Sequence, residues 1–245
     1  MAAYPGGDSA TAIRELRLLA EQGNANAQFG LGVMYDIGQG VPQDYAEAVW
    51  WYRKAAEQGV AEAQYNLGVI YKFGLGVPQD YAKAMQGFRK AAEQGVAKAK
   101  FNLGVMYDTG LGVTQDYAKA VRWYRKAAEQ GVAKAQFNLG AMYDNGLGVT
   151  QDYAKAVRWF RKAAEQGVAK AQFNLGLMYD NGLGVTQDDA KAHMWFNLAV
   201  SKLPPGEARD RAVKNIDIVA EKMTPAQISE AEKLAREWGA KHKKK

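Results

Sequence analysis

The sequence predicts an all-α solenoid of antiparallel helix pairs, built from 36-residue repeats and closed by a C-terminal helical cap. Three observations carry this prediction. Ala-Glu-Gln-Gly recurs, ending at Gly23, Gly59, Gly95, Gly131 and Gly167, a constant step of 36 residues. A fixed period of this size marks stacked repeats, not one compact core. Within a unit, Ala135, Leu139 and Tyr143 fall at i, i+4 and i+8, which is one face of a helix. Fixed punctuation follows: Gly146 and Gly148 suit a left-handed helix end, and Asp152 suits a helix start.

Each element follows from its residues. Residues 1–23 form an N-terminal half repeat or cap, because Asp8–Gly23 matches the second half of a unit. Five units then span 24–203. In the unit Val132–Gly167, helix A is expected over 133–144 and helix B from about Asp152 to Gly167. Ala156, Phe160 and Ala163 share the inner face of helix B. Arg158, Arg161 and Lys162 complement the negative end of its dipole. Pro42 and Pro78 stand just ahead of helix B, where a missing N–H is tolerated. Gly140, with Gly32, Gly68, Gly104 and Gly176 at the same phase, is expected to let helix B approach helix A closely. Residues 204–245 hold the cap: Pro204-Pro205 breaks the period, and helices are expected over 206–222 and 226–239. Thr224 and Gln227 have the spacing of a capping box between them.

The full repeated pattern is A-x-A-x-(F/Y)-N-L-G-x-M-Y-D-x-G-x-G-V-x-x-D-(Y)-x-K-A-x-x-W-(F/Y)-x-K-A-A-x-Q-G. It resembles the Sel-1-like repeat family, an α-solenoid relative of the tetratricopeptide repeats, over about residues 8–203. The resemblance implies a right-handed superhelix with the A helices lining its concave surface. It also implies an adaptor or scaffold for partner proteins. Met-Thr-Pro-Ala-Gln-Ile at 223–228 is similar to the capping end of many bacterial members, many of which are exported.

Composition sets outer bounds. With 48% hydrophobic and 24% charged residues in 245, the chain is globular rather than disordered. No apolar stretch approaches the roughly 20 residues of a membrane span, so no membrane insertion is expected. Cys is 0 and His is 2, so thiolate chemistry is excluded and neither a metal nor a cofactor is expected. Of the net +6, residues 201–245 hold +4, from 11 basic and 7 acidic side chains. The closing Lys241, His242, Lys243, Lys244 and Lys245 read as a solvated basic tail. Met1–Gly7 lacks the charged and apolar regions of a signal peptide, which leaves a cytoplasmic protein or a mature exported one. The early start of the half repeat and the habit of the family favour the exported, periplasmic reading.

Catalytic chemistry finds little support. The serines are Ser9, Ser201 and Ser229, and the base inside the repeats is His193, where other units have Val or Met. His193 reads as a histidine packed between the last repeat and the cap. Asp36, Asp108, Asp144 and Asp180 close helix A, and Asp44, Asp80, Asp116, Asp152 and Asp188 precede helix B. Groups copied in every unit read as structural, the second set as caps. The Gly-x-Gly at 110–112, 146–148 and 182–184 lacks the strand and Lys-Ser/Thr of a phosphate loop. No basic stripe interleaved with aromatics is expected along the solenoid, hence no nucleic acid.

Binding has better candidates. Asn66, Asn102, Asn138 and Asn174 recur at one phase of helix A, after Phe101, Phe137 and Phe173 in the last three cases. An asparagine array can bind the backbone of an extended peptide or bond the neighbouring repeat; both remain open. Lys98, Lys134 and Lys170 at the groove edge would favour acidic segments. The third and fourth units differ at Lys100/Gln136, Val105/Ala141, Thr109/Asn145 and Tyr124/Phe160. Val105, Thr109, Asn145 and Asn181 therefore join the candidate face. The expected function is a monomeric, non-catalytic scaffold for a protein or peptide partner. The competing classes are a hydrolase of cell-wall-related substrates, an activity suggested for cysteine-rich relatives, and a plain spacer. The second unit has Gly87 where others carry Trp51, Trp123, Trp159 or Trp195, and a weak point or hydrophobic notch is expected near Met85–Phe88.

Overall fold

A computed structural model describes residues 9–242, and among these it places thirteen α-helices and no strand. Residues 1–8 of the half repeat and Lys243–Lys245 of the basic tail lie outside the described residues. The chain divides into two units, residues 1–115 and 116–245.

In the first unit, α1 (Ser9–Glu21) is a lone B helix, followed by α2 (Ala25–Ile37), α3 (Tyr45–Glu57), α4 (Ala61–Phe73), α5 (Tyr81–Glu93) and α6 (Ala97–Thr109). In the second, α7 (Tyr117–Glu129), α8 (Ala133–Asn145), α9 (Tyr153–Glu165), α10 (Ala169–Asn181) and α11 (Asp189–Val200) precede the cap helices α12 (Glu207–Ala220) and α13 (Pro225–His242). Within each unit every helix up to α11 packs on its sequence neighbours, and the cap helices α12 and α13 each pack on α11. This is the α-solenoid expected from the period.

The α8–α9 pair shows why these residues form a hairpin. Val168 and Val132 lead into α10 and α8 in extended conformation without a side-chain cap, whereas every later B helix is capped by Asp. The Asp152 carboxylate accepts from Lys155 N–H at 2.9 Å, and its second oxygen pairs with the Lys155 ammonium at 2.9 Å. Gly146 ends α8 at φ 69° and donates to the Met142 carbonyl. Gly148 has a second reason to be glycine: at φ 68°, an added Cβ would lie 2.3 Å from the Tyr117 carbonyl carbon of the preceding B helix. Gln151 closes the loop by donating to the Asp144 carbonyl at 2.6 Å.

Ala135, Leu139, Ala156, Phe160 and Ala163 form the buried seam between α8 and α9. A fully buried Phe contributes about 2–3 kcal/mol. At Gly140 the expectation needs refinement. An added Cβ would lie 2.7 Å from the Phe160 ring, so a ring fills the vacated space rather than the backbone of helix B. Direct backbone approach occurs at Gly87, where a Cβ would meet the Gln64 carbonyl at 2.7 Å and the Gly68 nitrogen at 3.0 Å. In the second repeat Phe88 is fully buried, and a cleft of about 260 Å³ beside Gly87 is walled by Ala56, Leu67 and Tyr71 as well as by Arg53, Glu57, Lys83, Gln86 and Lys90.

The cap closes the last repeat. Trp238 meets Trp195 edge to face at 5.2 Å, and Lys222 pairs with Asp180 at 2.7 Å. Thr224 and Gln227 form the expected capping box, with Thr224 N–H donating to Gln227 Oε1 at 2.8 Å and Gln227 N–H to Thr224 Oγ1 at 3.3 Å.

Candidate functional site

The candidate face belongs to the A helices. In the first unit these are α2, α4 and α6, and in the second α8 and α10. Lys98, Lys134 and Lys170 are exposed in their first turns, and Thr109, Asn145 and Asn181 are exposed in their last. Asn66, Asn102, Asn138, Asn174, Phe101, Phe137, Phe173 and Val105 are half-buried. The half-burial has a structural source. The Phe137 ring lies 5.7 Å from Phe160, and Phe173 lies 5.6 Å from Phe196.

The asparagines divide by repeat. Tyr52 donates its hydroxyl to Asp36 Oδ2 at 3.1 Å, and the same hydroxyl bonds Asn66. Burial, with the Asp36 charge beside it, pushes the Tyr52 phenol well up, so it stays a donor. This chain joins two A helices through the B helix between them. Asn102 is likewise engaged. Its amide donates to the Lys98 carbonyl at 3.0 Å, its oxygen takes the Lys72 ammonium at 3.4 Å, and it bonds Tyr65. Burial lowers the Lys72 pKa. In the second unit Phe160 stands where Tyr52 does, so Asp144 and Asn174 have no hydroxyl between them. Burial raises the Asp144 pKa.

Thr109, Asn145 and Asn181 each bond a carbonyl of their own last turn, to Val105, Ala141 and Leu177, each at 2.8 Å. Their side chains thus finish the helix as well as facing outward.

Sequence reasoning missed a glutamine ladder. Gln28, Gln64, Gln136 and Gln172 are buried. Gln58, Gln94 and Gln166 donate across one repeat to Gln28, Gln64 and Gln136 at 2.8–2.9 Å. The Lys100/Gln136 difference therefore lies in this ladder and not on a free face. The recurring Gln-Gly at the end of the B helices was the available signal, but its partner lies 30 residues back.

His193 is buried at 2% exposure, with Asn197 Nδ2 3.0 Å from its Nδ1. Burial lowers its pKa against the opposing pull of Glu232. The Ser201 hydroxyl donates to the Leu198 carbonyl at 2.7 Å. The caps take up the recurring Asp80, Asp116, Asp152 and Asp188, each paired with Lys three residues on. Among the described residues no group of three His, Cys, Asp or Glu could hold a metal, and no helix is long and apolar enough to cross a membrane.

Basic and aromatic side chains gather at one place, where stacking sets Arg125 of α7 beside Arg158, Trp159 and Lys162 of α9. Arg125 lies a repeat back in the chain, so reading along it does not bring it to the other three.

The family model described as Sel1 repeat matches residues 25–60, 61–96, 97–132, 133–168 and 169–202. The chain belongs to the Sel1 repeat family. Sel1 repeat proteins are generally non-catalytic scaffolds for protein interaction. Among solved structures, the chain is similar to a protective antigen of uropathogenic Escherichia coli with an SLR fold. That match has 40% identity and a TM-score of 0.83, and covers 95% of this chain and 50% of the antigen. The chain thus spans half the length of that antigen. It is also similar to a Sel1 repeat protein from Oxalobacter formigenes, at 33% identity, a TM-score of 0.79 and 93% coverage of both chains. No curated protein matches the chain.

Proposed function

We propose that this chain is a monomeric, non-catalytic scaffold that holds a partner protein or an extended peptide along the outer face of its A helices. The observation that carries this reading is the recurrence of exposed polar side chains, Lys98, Lys134, Lys170, Thr109, Asn145 and Asn181, beside half-buried aromatic rings. A partner would meet rings for apolar contact and amides for its backbone. Asn66 and Asn102 also bond neighbouring repeats, so they serve as supports of the face. The exported location belongs to the same reading, and fractionation of the source cell tests it.

The test uses Lys98→Glu/Lys134→Glu/Lys170→Glu beside Asn138→Ala/Asn174→Ala, each checked for wild-type circular dichroism. A partner captured by the wild type and identified by mass spectrometry is then titrated as a purified protein. Both variants should weaken it about tenfold or more. Unchanged affinity in both would move the site off the A helices.

A further inference from the structure

We propose that the cleft between α7 and α9, on the side of the B helices, is a second binding site that takes a short acidic segment of a partner protein. Five cations line it: Arg125, Lys155, Arg158, Arg161 and Lys162. Glu129 and Glu165 are the carboxylates among its walls, so positive charge dominates a space of about 620 Å³.

The cations are held in place. Arg125 donates from Nη2 to the Tyr143 hydroxyl at 2.7 Å, and Arg161 donates to the Tyr179 hydroxyl at 2.8 Å. A guanidinium has five donors, so each keeps most of its fork for a carboxylate. Lys162 lies over the Trp159 ring at 4.7 Å, and Lys155 lies over the Tyr143 ring at 5.4 Å while pairing with Asp152. Arg158 is exposed. Groups fixed before binding lose little entropy on meeting a ligand, and paired Arg donors suit carboxylates.

The first unit supplies an internal contrast. Its equivalent cleft has Gln86 in place of Arg158 and Gly87 in place of Trp159, and is about 260 Å³. Three cations remain there, Arg53, Lys83 and Lys90. The α3–α5 cleft therefore lacks the full set that the α7–α9 cleft carries. A nucleic acid strand needs cations along a track, with strong binders making about 6–10 phosphate contacts. A single cleft bracketed by two glutamates fits a segment with a few carboxylates instead.

The test titrates a fluorescein-labelled oligoglutamate peptide against the full chain, read by anisotropy at low and at moderate salt. Arg158→Gln places in the fourth repeat the residue that the second repeat already carries, so the fold should tolerate it. That variant should weaken binding about tenfold, as loss of one charge-assisted bond implies. Arg158→Glu/Lys162→Glu should abolish binding, added salt should weaken it, and Gln86→Arg should strengthen it. Lys233→Glu, on the exposed side of α13, should leave it unchanged. An affinity indifferent to Arg158→Gln, or lost equally in the Lys233→Glu variant, would overturn the proposal. So would an oligothymidylate that binds as tightly as the peptide.

Discussion

Tyr52 and Phe160 occupy the same place in two repeats, and one hydroxyl separates them. With it, Asp36 and Asn66 are joined across a buried ring. Without it, Asp144 is half-buried and its pKa is raised by burial. A raised carboxylate pKa means that the folded state binds more protons than the unfolded chain just above the usual carboxylate range. Stability from this group is therefore present at low pH and lost as pH rises through the folded pKa. Asp144→Asn should remove that dependence and stabilise the protein at neutral pH, as urea unfolding over a pH series would show. Phe160→Tyr should restore the link, add about 1 kcal/mol, and lower the Asp144 pKa. Equal midpoints for wild type and Phe160→Tyr would show that the link contributes nothing. The capping aspartates have the opposite sign. The bond from the Lys155 side chain, with that from its N–H, holds Asp152 below the usual range. Stability from this cap is present above the unfolded pKa and lost as pH falls through the folded one.

At the scale of the element, two glycines of one repeat make separable demands. Gly167 has φ 82° with nothing within 4 Å of an added Cβ, so Gly167→Ala should cost only the left-handed backbone, about 1–2 kcal/mol. Gly148 combines φ 68° with a Cβ 2.3 Å from the Tyr117 carbonyl carbon. Gly148→Ala should therefore be clearly worse than Gly167→Ala in the same denaturation assay. Equal losses would mean that α7 yields without cost. Helix starts and stops were legible because Asp, Gly and Thr-Pro act within a few residues of where they stand. Gly140 was legible as a close approach, but the group filling the space, the Phe160 ring, was not.

For the whole molecule, each repeat is stabilised by its immediate neighbours. Removing residues 133–168 joins Val132 to Ala169 in the native register. That shortened chain should fold to the same helical fraction, with a smaller denaturant m-value in proportion to the surface lost. A chain ending at Leu203 should fare worse, because Trp195 would lose Trp238. Aggregation of the first and not the second would contradict nearest-neighbour stability. The A-helix face could be listed from the sequence by phase, but which of its asparagines also join repeats could not. Asn66 meets the Tyr52 hydroxyl and Asn102 meets Lys72, while the repeat before Asn174 carries Phe160 where Tyr52 stands.

The sequence by itself determined the repeat length, the helix pairs, the caps and the family, because each rests on residues close together along the chain. Tertiary structure decided the glutamine ladder, the Tyr52 link and the cationic cleft. The partners that join one repeat to the next lie 14 to 37 residues apart and meet only when repeats stack, at distances that periodicity alone does not specify.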